Sequence, residues 1–235
     1  MQSLFFGKRF LIFIYFKIEI KNNEYIYITI CQNKTLKAKT KTMLHLKLET
    51  DPRWVTIVES NIEEILTDHA WCEQKAATNA ITIITHNSEY PELVTELLKL
   101  AKEELEHFEM VHEIIKKRGY TLGRERKDHY VNQLYKFMNK GGSRQQSFVD
   151  RLLFSAMIEA RSCERFKLLS QRINDEELSK FYHDLMISEA GHYTTFITFA
   201  RQYGKGIDVD KRWQELVAFE GELIKSYGKS ETIHG

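Results

Sequence analysis

LAKEELEHFE, spanning Leu100–Glu109, places Glu104 and His107 three residues apart, inside a stripe formed by Leu97, Leu100, Ala101, Phe108 and Val111. Residues three, four and seven apart share one face of a helix, so this face is apolar except for one carboxylate and one imidazole. SEAGHYTTF (Ser188–Phe196) repeats the pattern, with Glu189 and His192 among Leu185, Met186, Tyr193 and Phe196. Two further stretches each carry a lone Glu in such a stripe. Glu73 lies among Leu66, Ala70, Ala76, Ala77 and Ala80, and Glu159 among Leu152, Ala156, Cys163 and Phe166.

The ends of these four segments are marked. The first is expected over about Asn61 to Asn87, with Ser60 and Glu63 spaced as a capping box. A short helix opening at Asp51-Pro52 precedes it. The second runs from Pro91 to about Arg118 and is closed by Gly119; the third runs from Ser147 to about Arg172. The fourth follows Asn174, read as its N-cap, and ends before Gly204, and an amphipathic helix over Val209 to Tyr227 follows. Ser88–Tyr90 and Ile173–Asn174 are tight connections, whereas Tyr120–Gln146 is a long one with its own short helix near Asp128–Asn139. Two antiparallel hairpins joined by a long crossover predict an all-α, ferritin-like four-helix bundle with extra short helices and a C-terminal helix. At about 1.5 Å rise per residue, each of the four Glu sits roughly 20 Å from the turn of its own hairpin, which places them at one level. The crossover is expected to cover the end of the bundle remote from both tight turns.

Composition agrees with one such domain. The chain has 235 residues, 43% hydrophobic and 29% charged, with 2 prolines and a formal charge of +1. Its 3 cysteines include no CxxC pair, which argues against a disulfide framework and for a reducing cytoplasm. Residues 1–42 differ: rich in Phe, Ile, Tyr, Lys and Asn, they show no helical period. The apolar run Phe10 to Phe16 is far shorter than the ~20 residues of a membrane span, and no small-residue cleavage site follows it. Tyr25–Ile30 alternates like a strand, with no partner in view. This stretch is read as an atypical extension, disordered or a mis-assigned start, with the functional domain over 43–235.

Four buried carboxylates at one level repel one another and are costly to desolvate unless cations neutralise them. Two divalent ions balance four carboxylates, and two imidazoles complete a set suited to iron or manganese rather than calcium or copper. Glu73, Glu104, His107, Glu159, Glu189 and His192 are therefore the expected ligands of a dinuclear centre. A lone ExxH is more often a solvated surface, and Glu109-x-x-His112, on a stripe with Lys102, Glu106, Glu113 and Lys116, is read that way. Glu164, among Arg161, Lys167 and Gln171, is likewise left out, and Asp68, His69 and His86 are read as ordinary polar positions, with lining of the cavity as the alternative for His69, one turn from Glu73. Cys163 and Arg161 are candidates for supporting the ligands.

The ligand set alone does not choose a substrate. DHAWCEQKAA (Asp68–Ala77), LAKEELEHFE, IEARSCERF (Ile158–Phe166) and SEAGHYTTF resemble the bacterial tRNA hydroxylases acting on 2-methylthio-isopentenyladenosine, over about Leu44 to the C-terminus. The resemblance implies a non-haem di-iron monooxygenase. Such an enzyme hydroxylates the isopentenyl group of the adenosine beside the anticodon, using O2 and electrons from an external reductase or ferredoxin. It also implies a cytoplasmic, membrane-free protein, monomeric or a small oligomer, whose partner is the tRNA anticodon stem-loop. The six ligands carry over by motif. From Lys116 to Arg151 the chain is basic, with Lys116, Lys117, Arg118, Arg124, Arg126, Lys127, Lys136, Lys140 and Arg144 opposed by little acid. Tyr120, His129, Tyr130, Tyr135 and Phe137 are interleaved, which suits phosphate contacts and base stacking; a solvated crossover that is merely charged is the alternative. A rubrerythrin-like peroxidase or small-molecule oxidase, an iron-storage protein, and an RNA-binding module with a structural Glu/His cluster remain as alternatives. Storage would not need the basic crossover.

Overall fold

The computed structural model describes residues 12–20, 24–32, 43–138, 141–226 and 232–234. The chain divides into two units, Met1–Lys41 and Thr42–Gly235. In the first, strands β1 (Ile12–Ile20) and β2 (Glu24–Gln32) pair antiparallel, with Ile12 opposite Gln32 and Ile20 opposite Glu24. The alternation at Tyr25–Ile30 thus lies in β2, and its partner is β1, with Tyr25 opposite Glu19 and Ile30 opposite Ile14.

The second unit is helical among its described residues: α1 (Trp54–Ser60), α2 (Ile62–His86), α3 (Pro91–Lys117), α4 (His129–Leu134), α5 (Arg144–Arg172), α6 (Glu176–Tyr203) and α7 (Val209–Leu223). α2, α3, α5 and α6 are the four long helices expected. Their ends differ in detail. Ser60 and Glu63 do not form a capping box: the Ser60 hydroxyl donates back to the Thr56 carbonyl, and Glu63 accepts from the Thr121 amide. α5 starts one turn early because Ser143 caps it, accepting from the Gln146 amide at 3.1 Å. α6 is capped by Asp175, not Asn174, since Asp175 accepts from Leu178 N at 3.0 Å while Asn174 bonds Glu59. Gly119 closes α3 with φ +72°. Its amide reaches the Lys116 carbonyl and that of Tyr120 the Ile115 carbonyl, a left-handed closure that favours glycine. Tyr227, the expected end of the last helix, lies outside the described residues.

The two tight turns lie at opposite ends of the bundle. Arg144 at the start of α5 binds the His86 carbonyl and Glu89 at the α2–α3 turn. At the other end, Asn174 in the α5–α6 turn binds Glu59, and Arg118 grips Asp175 through both guanidinium nitrogens. The crossover therefore runs along the bundle instead of capping one end, as the sequence reading had it. It follows α2, where Trp71 donates to the Gly123 carbonyl at 2.9 Å and Lys75 to that of Arg126 at 3.2 Å. α3 and α5 are consequently parallel, a relation that hairpin lengths alone leave open.

Apolar side chains pack in two layers. One includes Ile83, Leu93, Leu97, Phe148, Leu152 and Phe199, and the other Leu66, Val111, Ile115, Phe166, Leu169 and Tyr182. Glu73, Glu104, Glu159 and Glu189 fall between them in sequence on all four long helices. At the end of α6, an added Cβ on Gly204 would lie 2.5 Å from the Ala200 carbonyl oxygen and 2.5 Å from Val209 Cγ2. Gly204→Ala is expected to cost about 1–3 kcal/mol, because backbone cannot retreat as a flexible side chain can. Denaturant unfolding checks this, and an unchanged midpoint would show that α6 can end elsewhere.

Candidate metal centre

The six expected ligands converge in mid-bundle. Donor atoms of Glu73, Glu104, His107 and Glu189 lie within 4.8 Å of one another, and so do those of Glu104, Glu159, Glu189 and His192. Glu104 and Glu189 belong to both groups. Each group thus has one Glu and one His of its own and two carboxylates in common. All six residues are buried. Nδ1 of His107 lies 3.4 Å from Glu73 Oε2 and 3.5 Å from Glu104 Oε2, and Nδ1 of His192 lies 2.9 Å from Glu104 Oε1. Both imidazoles therefore turn the same nitrogen into the cluster.

Protein groups alone do not satisfy this layer. Both oxygens of Glu104, Glu189 Oε1 and Nδ1 of both histidines are buried without a properly aligned hydrogen-bond partner. Burial and the charge of Glu73 push the Glu104 carboxyl up to about 8. Burial, with Glu159, Glu104 and Glu73 nearby, raises Glu189 well above the ordinary range. Burial opposes charge on His107 and Glu73 too, but their contacts prevail: Glu104 and Glu73 bring His107 up to about 10, and His107 and His69 hold Glu73 well below its usual value. Such a cluster holds protons where it could hold cations. Its orphaned oxygens and nitrogens fit a pair of divalent ions with oxygen and imidazole ligation.

Two further side chains support the cluster, of which the sequence pointed only to His69. His69, fully buried between Phe166, Phe181 and Tyr182, bonds Glu73 Oε1 at 2.6 Å. Glu103 reaches across to α6, where its carboxylate lies 3.3 Å from His192 Nε2. That contact holds Glu103 down at about 2 against its partial burial. The spacing of His69 one turn before Glu73 was a usable signal; the Glu103 contact depends on how α3 and α6 face each other.

The family model described as tRNA-(MS[2]IO[6]A)-hydroxylase (MiaE) matches residues 37–235. This chain belongs to the MiaE family. Over 185 residues it is 36% identical to a Pseudomonas putida member named tRNA 2-(methylsulfanyl)-N(6)-isopentenyladenosine(37) hydroxylase, covering 79% of this chain and 89% of that one. A Salmonella typhimurium protein of the same name is 32% identical over 143 residues, 61% of this chain and 52% of the relative, so that match takes in about half of the Salmonella protein. Among solved structures, a Synechococcus protein with aldehyde deformylating oxygenase activity superposes with a TM-score of 0.74 at 32% identity, over 81% of this chain and 95% of that one.

Other residues singled out from the sequence fall differently within this MiaE fold. Glu164 is buried, not solvated: its oxygens accept from the Thr50 amide and hydroxyl and from Arg161. Arg161 is fully buried, with ion pairs to Glu164 and Glu220 and none to the six clustered residues. Arg165 is equally buried. The Cys163 thiol, pushed up to about 12 by burial, donates to the Met186 carbonyl at 3.1 Å, tying α5 to the stretch of α6 before Glu189. Glu109 is exposed, as expected of the decoy motif.

The basic residues do not form one compact patch. Lys116 pairs with Glu113, Lys117 with Glu177, Arg118 with Asp175, Arg126 with Glu64 and Arg144 with Glu89, at positions spread from one end of the bundle to the other. Lys136 bonds Gln133, Lys140 lies outside the described residues, and Arg124 and Lys127 are exposed. Tyr130 is buried with its hydroxyl on Glu220, so it is not available for stacking, whereas Tyr135 is exposed. A cavity of about 360 Å³ opens at the α2–α3-turn end, lined by Ile83, His86, Met138, Arg144, Phe148 and Arg151, several helical turns from the ligands. No helix among the described residues is long and apolar enough to cross a membrane.

Proposed function

We propose that this chain is an O2-dependent, non-haem di-iron hydroxylase of tRNA, acting on the isopentenyl group of 2-methylthio-isopentenyladenosine beside the anticodon. The observation that carries the chemistry is the pair of donor groups sharing Glu104 and Glu189. Family membership and the names of the two relatives support the substrate. In this reading Glu73, Glu104, His107, Glu159, Glu189 and His192 would hold two irons, with Glu104 and Glu189 within reach of both positions. Two irons held there would supply oxygen activation, with electrons from an external reductase or ferredoxin.

The chain's own groups prepare that centre. His69 occupies one Glu73 oxygen, leaving the other toward His107. Glu103 faces Nε2 of His192 and so leaves Nδ1 for the cluster, the part an outer carboxylate plays for a metal-bound histidine. The apolar layers on either side exclude water from the reacting volume. A tRNA substrate supports a cytoplasmic location for the enzyme.

Mass spectrometry of tRNA nucleosides from cells with and without this chain tests the substrate. Deletion should remove hydroxylated prenyl-adenosine and leave its unhydroxylated precursor. Unchanged hydroxylated nucleoside would end the tRNA reading and direct attention to small apolar substrates such as aldehydes, as the Synechococcus neighbour's activity suggests. Arg124 and Lys127 are the exposed bases best placed to meet phosphate. Reversing both to Glu should raise KM for tRNA and lower the salt dependence of binding by about one unit of log–log slope per lost contact, with iron content unchanged. An unaltered salt dependence would move the RNA surface elsewhere.

A further inference from the structure

Cys72 on α2, Asp128 at the N-cap of α4 and His234 in the segment 232–234 bring a sulfur, a carboxylate oxygen and a ring nitrogen within 4.8 Å of one another. The carboxylate cluster uses none of them. Nδ1 of His234 lies 2.7 Å from Asp128 Oδ2 and 3.7 Å from Cys72 Sγ, while its Nε2 lies 3.1 Å from the Ser162 hydroxyl. One ring nitrogen thus faces two donors that can carry negative charge, and the other rests on a hydroxyl. Metal-bound histidines are held in this way by an outer partner.

The segment carrying His234 is fixed independently. The Ile233 amide donates to Asp68 at 2.7 Å, Arg165 holds the Ile233 carbonyl, and Tyr130 stacks on the imidazole with centroids 5.7 Å apart. Three donors from parts of the chain remote in sequence are therefore gathered by contacts that need no ion. Of the nearby cations, Lys75 is engaged by Glu125 and the Arg126 carbonyl, and Arg165 by the Ile233 carbonyl.

We propose that Cys72, Asp128 and His234 form a second metal site, separate from the carboxylate cluster, for a single zinc-class divalent ion that pins the 232–234 segment to α2. A sulfur, nitrogen and oxygen set suits zinc and cobalt(II) and disfavours calcium or magnesium, which take oxygen alone. Three protein donors leave a fourth tetrahedral position to water. Binding releases the thiol proton to solvent and changes no oxidation state. Although Cys72 adjoins Glu73, neighbouring residues on a helix point about 100° apart, so the two sites open on different faces of α2. Without an ion, the same residues form a His–Asp tether and nothing more.

Titration of the metal-free full chain with cobalt(II) separates the two cases. Only a bound thiolate gives a cobalt–sulfur charge-transfer band in the near ultraviolet, and the carboxylate cluster has oxygen and nitrogen donors alone. We expect the band to reach the intensity of one thiolate-bound cobalt per chain, to be displaced by zinc, and to persist in Cys163→Ser and Glu159→Ala. It should vanish in Cys72→Ser. Ser162→Ala should weaken cobalt binding about tenfold, and His234→Ala more. No band in the native protein, or one that survives Cys72→Ser, overturns the site. If Cys72→Ser does not fold, His234→Ala with native far-UV circular dichroism decides, and undiminished cobalt affinity there overturns it equally. Persistence of the band in Glu159→Ala keeps this outcome independent of the di-iron reading.

Discussion

Glu189→Gln is expected to empty both iron positions, whereas Glu159→Gln empties one. Glu189, like Glu104, contributes to both donor groups, while Glu73 and Glu159 each contribute to one. A carboxamide keeps one oxygen but loses the charge and the second anionic oxygen, so it cannot bridge two cations as a carboxylate does. Iron per chain should fall from about two to well below one in Glu189→Gln and Glu104→Gln, and to about one in Glu73→Gln and Glu159→Gln. Hydroxylation should drop by about 100-fold or more in all four, since partial loss of the ligand set is already costly. The metal-free proteins should change in the opposite sense. Burial and neighbouring carboxylates raise Glu189 and Glu104 above the ordinary carboxylate range, so a charge at either position is costly in the empty site and a neutral carboxamide removes that cost. Metal-free Glu189→Gln should then be more stable to unfolding than metal-free native protein, by roughly 1–3 kcal/mol. Iron analysis with calorimetry of the metal-free proteins checks both signs. Full iron loading of Glu189→Gln, or equal losses at bridging and terminal positions, would refute the sharing of ligands.

The part of this arrangement that depends on helical period was legible in the sequence. Four apolar stripes, each broken by a Glu near mid-helix, place the carboxylates together whichever ends the turns occupy. For the same reason the expected position of the crossover failed: equal spacing from each hairpin's own turn holds equally when the two turns point in opposite directions. What separates the two cases is the packing of Arg144 on the α2–α3 turn and of Arg118 on the α5–α6 turn, contacts with no local signature. The expected exposure of Glu164, though not its exclusion from the ligand set, failed for a related reason. Its neighbours Arg161, Lys167 and Gln171 look like a solvated face, but Thr50 and α7 cover part of that face and leave Lys167 exposed. The basic crossover showed as composition alone, and the structure spends much of its charge on acidic partners within the bundle.

Arg161 is where that buried face is most vulnerable. Its guanidinium bonds Glu220 through Nε and Nη2 at 2.9 and 2.6 Å, Glu164 through Nη1 at 2.8 Å and the Leu48 carbonyl through Nη2 at 3.1 Å. Arg161 and Glu220 side chains are both wholly enclosed. Arg161→Met keeps approximate volume but leaves two carboxylates without their cation, and loss of one partner of a buried ion pair costs about 3–5 kcal/mol. A fall in unfolding midpoint on the order of 10 °C follows for a chain of this size. Arg161→Lys should fall between, because an ammonium keeps the charge but cannot span both carboxylates and a carbonyl as the planar fork does. Arg161→Met combined with Glu220→Met should recover part of the loss, since the second change removes one of the stranded charges. Iron content of the folded fraction should stay at the native level throughout, because Arg161 bonds Glu220, Glu164 and Leu48 and none of the six proposed ligands. Reduced iron in folded Arg161→Met would return this residue to the ligand-supporting role first read from its place beside Glu159, and an unchanged midpoint would mean that Glu164 and Glu220 protonate or find water at little cost.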